Sequence, residues 1–215
     1  MTVRQQSSNE VHIWPALLDV IIATLMIILL FMIIQYISFY LSDALVRIEL
    51  RDRQDQFVEM IDAFEQAGRF PKGSITVKAN GDFQMLRFSS ELVFDPGRAD
   101  ISKNDIDRFK FLDAVGDLLK EGYHHKKLFQ RLYIEGHTDT NPIRNRHYKS
   151  NWELSTARAL YIANHFIRTD KIRPEYSDER LFGISGYGEY NFVESVNDLD
   201  SNRRIEILLV YSEKR

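Results

Sequence analysis

Polar groups gather in the stretch GHTDTNPIRNRHYKSNWELSTARAL, residues 136–160, which follows an apolar run and leads into a helical pattern. Loops at such junctions are where binding groups collect. Ser150 or Asn151 can cap the helix, whose N-terminus offers free N–H groups and the positive end of its dipole to an anion. Arg158 follows Asn151 by two turns and so shares a face with Asn151 and Leu154. Asp139, in the loop, can take an ammonium group, and Arg158 a carboxylate through its planar fork. The pair therefore suits a zwitterionic ligand, although the spacing equally allows the two side chains to pair with each other.

A different carboxylate sits where few are tolerated. Residues 13–34 read IWPALLDVIIATLMIILLFMII, which at 1.5 Å per residue covers roughly 33 Å, enough to span a bilayer. Trp14 at one end and Tyr36 and Tyr40 at the other suit the two interfaces. Thr24 can return its hydroxyl to the preceding helical turn. The run is too long for a signal peptide, and no small-x-small cleavage site follows it, so the sequence predicts a retained anchor. Asp19 lies roughly 9 Å inside its edge. A carboxylate near mid-membrane costs about 2.5 to 3.5 kcal/mol on insertion scales and asks for a partner, a wet cavity or protonation. Ion carriage and a hydrated edge residue are both open to it. Ala16 and Ala23 share its face and let another helix approach closely, which turns Asp19 toward an assembly rather than lipid.

Other chemistries are poorly supplied. The chain has no cysteine, which removes disulfides, thiolate metal sites and cysteine nucleophiles. With 28 Lys+Arg against 31 Asp+Glu, the net charge of −3 provides no basic field for nucleic acid. His124–His125 and the pair His137 and His147 lack ligand spacing, and no nucleophile stands in a triad context around His137. Gly183, Gly186 and Gly188 do not form a dinucleotide fingerprint. Glu189 and Glu194 read as loop acids rather than a glycosidase pair. The sequence predicts neither enzyme, metal nor cofactor.

The elements that must position these groups follow from pattern. Only Arg4, Glu10 and Asp19 are charged in residues 1–41, whereas the remainder is ordinary in charge. Residues 41–66 are rich in helix formers, with apolar Leu41, Leu45, Ile48, Val58, Ile61 and Phe64, but the all-polar centre at 51–56 breaks a coiled-coil repeat. Gly68 and Pro71 end this helix. Strands at 74–78 and 83–88 flank an Asn80-Gly81 turn, a strong hairpin signal. A helix at 103–119, a strand at 128–135, a helix at 152–167 and strands at 180–185 and 204–211 follow. That order predicts an α/β sandwich, a mixed sheet with helices on one face.

Four blocks then resemble a known family in order: GHTD at 136–139, SNWELSTARA at 150–159, GYGE at 186–189 and SNRRIEI at 201–207. Over residues 85–211 the chain is similar to the peptidoglycan-binding domain of the OmpA-like family. The resemblance implies a periplasmic fold that holds the diaminopimelate of the peptide stem through an Asp and an Arg. Those roles fall on Asp139 and Arg158, with Thr138, Asn151 and Leu154 in the matching loop and helix start. Such a domain behind one N-terminal helix bearing an Asp resembles the B subunits of ion-driven stators, the MotB family. This likeness implies a single pass through the bacterial inner membrane, a cytoplasmic N-terminus, pairing of two copies through the membrane helix, and a ring of multi-pass MotA-like A subunits around them. Asp19 would carry protons. The implied layout is a tail at 1–12, a membrane helix at 13–41, a linker helix at 42–73 and the wall-binding domain at 74–215. The tail holds one Arg, where flagellar members have a strongly basic one, and this departure points to a related motor such as the Zorya anti-phage system. A static membrane-to-wall tether is the alternative.

Overall fold

The computed structural model describes residues 13–172, 182–193 and 195–211; the tail at 1–12, the first residues of the strand expected from 180, and Glu194 lie outside them. The chain divides into two units after Glu49.

In the first unit, α1 (Ile13–Gln66, continuing into the second) carries the apolar run. Its side chains from Trp14 to Leu41 are exposed on every face, Phe31, Met32 and Phe39 among them. Water would charge each such side chain about 1.5 to 3 kcal/mol of lost burial, so this helix is built for a lipid or protein surround. It is also the one helix among the described residues long and apolar enough to cross a membrane. The Thr24 hydroxyl donates to the Ile21 carbonyl at 2.8 Å, which satisfies the one hydroxyl in the apolar run.

In the second unit, the later turns of α1 are part of a core. Phe57, Met60 and Ile61 are buried, and Leu50 and Phe64 pack against the same cluster. Gln54, in the stretch that reads as all-polar, is also buried. Its side-chain amide donates to the carbonyls of Gly81 (2.9 Å) and Phe83 (3.3 Å), while its backbone carbonyl accepts from the Gln84 amide. A polar residue can face the core here because the hairpin end presents free carbonyls to it.

The sheet is formed by β1 (Thr76–Asn80), β2 (Phe83–Ser89), β3 (Arg131–Gly136), β4 (Phe182–Gly186) and β5 (Arg204–Val210). Its order is β1-β2-β5-β3-β4, with β3 and β4 parallel and every other neighbour antiparallel. Asn80 pairs with Phe83, so the two-residue loop is Gly81-Asp82, one residue beyond the Asn-Gly pair expected, and Gly81 at its first position takes φ +58, which only glycine adopts readily. Leu86, Ile207 and Ile134 align across three strands and face α2 (Ile106–Lys120) and α3 (Asn151–Arg168), whose Leu112, Val115, Leu119, Ile162 and Phe166 complete the core. The helices thus cover one face of a mixed sheet. Asp105 caps α2, accepting from the Arg108 N–H, so that helix starts three residues later than its pattern predicts. A short helix α4 (Leu199–Asn202) precedes β5. His124 and His125 close a π-helical turn after α2.

The opposite face carries a polar ladder in which Arg87, Glu206 and Glu135 align. Two glutamates side by side repel. Arg87 and Arg204 offset this by holding Glu206 at 2.6 and 2.7 Å.

The glycine that ends β3 sets where α3 can lie. A Cβ on Gly136 would stand 2.0 Å from the Ser155 carbonyl oxygen, and one on Gly186 would stand 2.2 Å from Thr156 Oγ1. Both strand ends must therefore be bare for α3 to pack close, which draws the loop after β3 beside the start of α3. Gly136→Ala is expected to destabilise this unit by about 1 to 3 kcal/mol through forced separation. A lowered urea midpoint checks it, and an unchanged midpoint would show that α3 yields freely.

Candidate functional site

Ser150 is the N-cap of α3, its hydroxyl accepting from the Glu153 N–H, and Glu153 in turn accepts from the Lys149 N–H at 2.7 Å. This reciprocal arrangement resembles a capping box and frees Asn151 for other work. The Asn151 Oδ1 accepts from the Ile143 N–H, and its Nδ2 donates to the carbonyls of Asp139 (3.3 Å) and Asn141 (3.1 Å). One buried amide therefore ties the whole loop after β3 to the helix start.

That loop presents Asp139, almost fully buried, to a cavity of about 400 Å³. Thr138, Asp139, Asn151, Leu154 and Arg158, all named from sequence, line it together. Leu154 and Arg158 follow Asn151 down one helical face and are buried as it is. The Thr138 N–H donates to the Gly188 carbonyl at 2.9 Å, and its buried hydroxyl has no hydrogen-bond partner among the described residues.

Asp139 and Arg158 do not pair with each other among the described residues, so the self-pairing alternative falls away. Asp139 Oδ1 accepts from the Asn141 N–H, while Oδ2 accepts from the Asn141 amide and from Arg203 at 2.8 Å. Arg158, 3% exposed, donates to the Arg98 carbonyl (2.9 Å), the Ser90 hydroxyl (3.2 Å) and the Asp95 carbonyl (3.3 Å), with the Phe94 ring 5.4 Å from its centre. A guanidinium has five N–H groups, so two remain beyond these bonds, the number a carboxylate takes bidentately. Burial lowers the Arg158 pKa to about 10, which leaves it charged at neutral pH.

Arg203 and Glu91 also line the cavity and were not singled out from sequence. Arg203 bridges Asp139, Glu91 (2.8 Å) and Asp200, and its hydrogen bond to Asp139 leads in raising its pKa. The first Arg of SNRRIEI was legible only as part of a pattern; its meeting with residues 64 and 112 positions away is a product of the fold. The cavity thus holds two cations and two anions in fixed places, one acid and one base on opposite groups. It can grip a ligand carrying both charges without net charge transfer into a buried space.

Behind the loop, His137 is fully buried, stacked on Tyr187 at 5.1 Å, with Nε2 3.4 Å from Glu206 and 3.9 Å from Glu135. These three side chains could in principle face one metal ion. Two guanidiniums already balance the two carboxylates, however, and a further dication would be unfavourable beside them. The cluster is read as the floor on which the loop rests. Burial lowers the His137 pKa, so the imidazole is neutral there at neutral pH. Burial alone would push the Glu206 carboxyl up, but the His137 imidazole 3.4 Å away and the Arg204 hydrogen bond outweigh it and hold the group at about 2.

A carboxyl lowered by folding stabilises above its unfolded value and loses that contribution as pH falls. Starting from the ordinary 4.5, the Glu206 contribution, roughly 3 kcal/mol, declines as pH drops from 4.5 toward 2. Glu206→Gln is therefore expected to cost most at pH 7 and progressively less below pH 4.5. Urea titration of the full chain in detergent at several pH values checks this, and a gap that does not narrow with acid would refute it.

The OmpA family model matches residues 93–206. Motility protein B of Bacillus subtilis (strain 168) is 30% identical over 139 residues, which cover 63% of this chain and 48% of that protein. The chain therefore spans about half the length of this relative. Among solved structures, a MotB-like protein from Desulfovibrio vulgaris superposes with a TM-score of 0.60 at 23% identity, over 77% of this chain and 98% of that one. The cell wall anchor of the T6SS from Pseudomonas aeruginosa follows with a TM-score of 0.55 at 21% identity, over 73% and 97%.

Proposed function

The chain belongs to the OmpA family, and from that premise we propose that it is the peptidoglycan-anchored B subunit of a proton-driven motor of the bacterial inner membrane. The observation that carries the wall-binding half is the cavity in which Asp139 and Arg158 stand apart, each held by other groups. Asp139 takes the ammonium and Arg158 the carboxylate of a diaminopimelate side chain, with Thr138, Asn151 and Leu154 shaping the cavity between them. The similarity to motility protein B supports the motor half of the reading.

The motor half rests on Asp19, the one charge in an otherwise apolar span. Two copies pair through this helix inside a ring of multi-pass A subunits. Protonation neutralises Asp19 and lets it pass apolar neighbours; release restores the charge and a contact that moves the ring. The N-terminus is cytoplasmic and the wall-binding unit periplasmic, so the wall holds the shaft while the ring moves. The tail with its single Arg favours a motor other than the flagellar one, such as the Zorya anti-phage system.

Co-reconstitution of the full chain with a multi-pass A subunit in vesicles tests the proposal. An imposed proton gradient is expected to drive flux that neither subunit supports alone. No flux, combined with intact sacculus binding, would leave the chain a static tether between membrane and wall.

A further inference from the structure

Trp152, one residue beyond the cavity-lining Asn151, stacks on Tyr190 with ring centroids 5.4 Å apart and planes inclined by 26°. The two rings are 47% and 67% exposed, and Phe192, two residues after Tyr190, is 52% exposed. A stacked aromatic pair left open to water forgoes the burial that normally accompanies such rings.

The pair is also fixed in place. The Gly188 carbonyl accepts from Thr138, the Gly188 N–H donates to the Ser155 hydroxyl at 3.0 Å, and the Tyr190 N–H donates to the Tyr187 carbonyl. Gly188 has φ +56, and a Cβ there would come 3.4 Å from the Trp152 backbone nitrogen, so the loop lies directly on the start of α3. The same strap that holds Thr138 in the cavity wall therefore carries Tyr190 to Trp152.

We infer that the Trp152–Tyr190 stack is a second subsite, which receives the apolar face of a sugar ring of the glycan strand. This rests on the stem-peptide reading of the cavity. A pyranose offers a C–H face ringed by hydroxyls, which complements an uncharged aromatic plane. The glycan is covalently joined to the stem, two residues before diaminopimelate. At about 3.3 to 3.6 Å per residue, that tether and its linkage reach roughly 10 Å, comparable with the width of a helix with its side chains. A ligand gripped by Asp139 and Arg158 thus brings its sugar to the rim where the rings stand.

The test uses the full chain in detergent with Trp14→Phe, which leaves Trp152 as its sole indole. Two probes are titrated by calorimetry for affinity, with Trp152 emission read alongside: the tripeptide L-Ala–γ-D-Glu–meso-diaminopimelate, and the same tripeptide carried on its N-acetylglucosamine–N-acetylmuramate disaccharide. The disaccharide form is expected to bind roughly three- to tenfold more tightly and to change Trp152 emission, while the bare tripeptide binds without that change. Trp152→Ala and Tyr190→Ala should each remove the difference and leave tripeptide affinity as it was. Equal affinity for both probes would overturn the sugar subsite while sparing the stem reading. Failure of both probes to bind would overturn the stem reading and the subsite with it. A loss of self-association in either variant, with the probe difference retained, would assign the rings to a second copy and overturn the subsite.

Discussion

Asp19→Asn is expected to abolish proton flux and motor work of the assembled complex while leaving membrane insertion and sacculus binding at their original levels. Asn matches Asp in shape and removes only the ability to bind and release a proton. It also lightens the burden on the membrane, because the carboxylate costs about 2.5 to 3.5 kcal/mol near mid-bilayer and a neutral amide costs less. A variant that inserts at least as well and yet does no work separates a carrier from a structural residue. Asp19→Glu, which keeps the proton but moves it outward by one methylene, should retain partial flux. The measurements are proton flux in vesicles and recovery on purified sacculi. Full flux in Asp19→Asn would remove Asp19 as the carrier.

Arg158→Lys and Asp139→Asn are expected to lower affinity for the diaminopimelate stem by roughly ten- to a hundredfold each, the worth of a charged hydrogen bond. Lys keeps the charge but has three donors and no planar fork. It cannot serve the Arg98 carbonyl, Ser90 and the Asp95 carbonyl and still grip a carboxylate in two places. Part of the cost will fall on stability, about 1 to 3 kcal/mol, because a buried carbonyl loses its donor. Asp139→Asn is the cleaner probe, since it preserves shape and leaves Arg203 bonded to Glu91 and Asp200. Calorimetric titration of the free tripeptide into the full chain reads both. Undiminished affinity in Asp139→Asn would mean that this carboxylate serves only Arg203 and Asn141.

Much of this molecule is written locally. The span at 13–34, the Asn80-Gly81 hairpin and the amphipathic helix bearing Asn151, Leu154 and Arg158 depend on neighbours within a few residues, so period and turn chemistry reveal them. Gln54 shows the limit: its polarity reads as solvent-facing, yet it is buried because distant carbonyls of the hairpin require a donor. Arg203 shows it more sharply. It sits in a recognisable block, but nothing within that block says that its guanidinium joins Glu91 to Asp139. His137 likewise has only Glu135 close to it in sequence and gains Glu206 and Tyr187 through the fold.

The sequence by itself determined an apolar helix with one acid, an α/β unit behind it, and the acid and base that line one cavity. It did so because solvent preference, helical period and turn geometry are short-range properties. Whether Asp139 and Arg158 neutralise each other or stand ready for a ligand was decided only in three dimensions. Their separation depends on Arg203 and on the carbonyls at 95 and 98, brought in by strand order and by a helix that packs close only where Gly136 and Gly186 have no side chain.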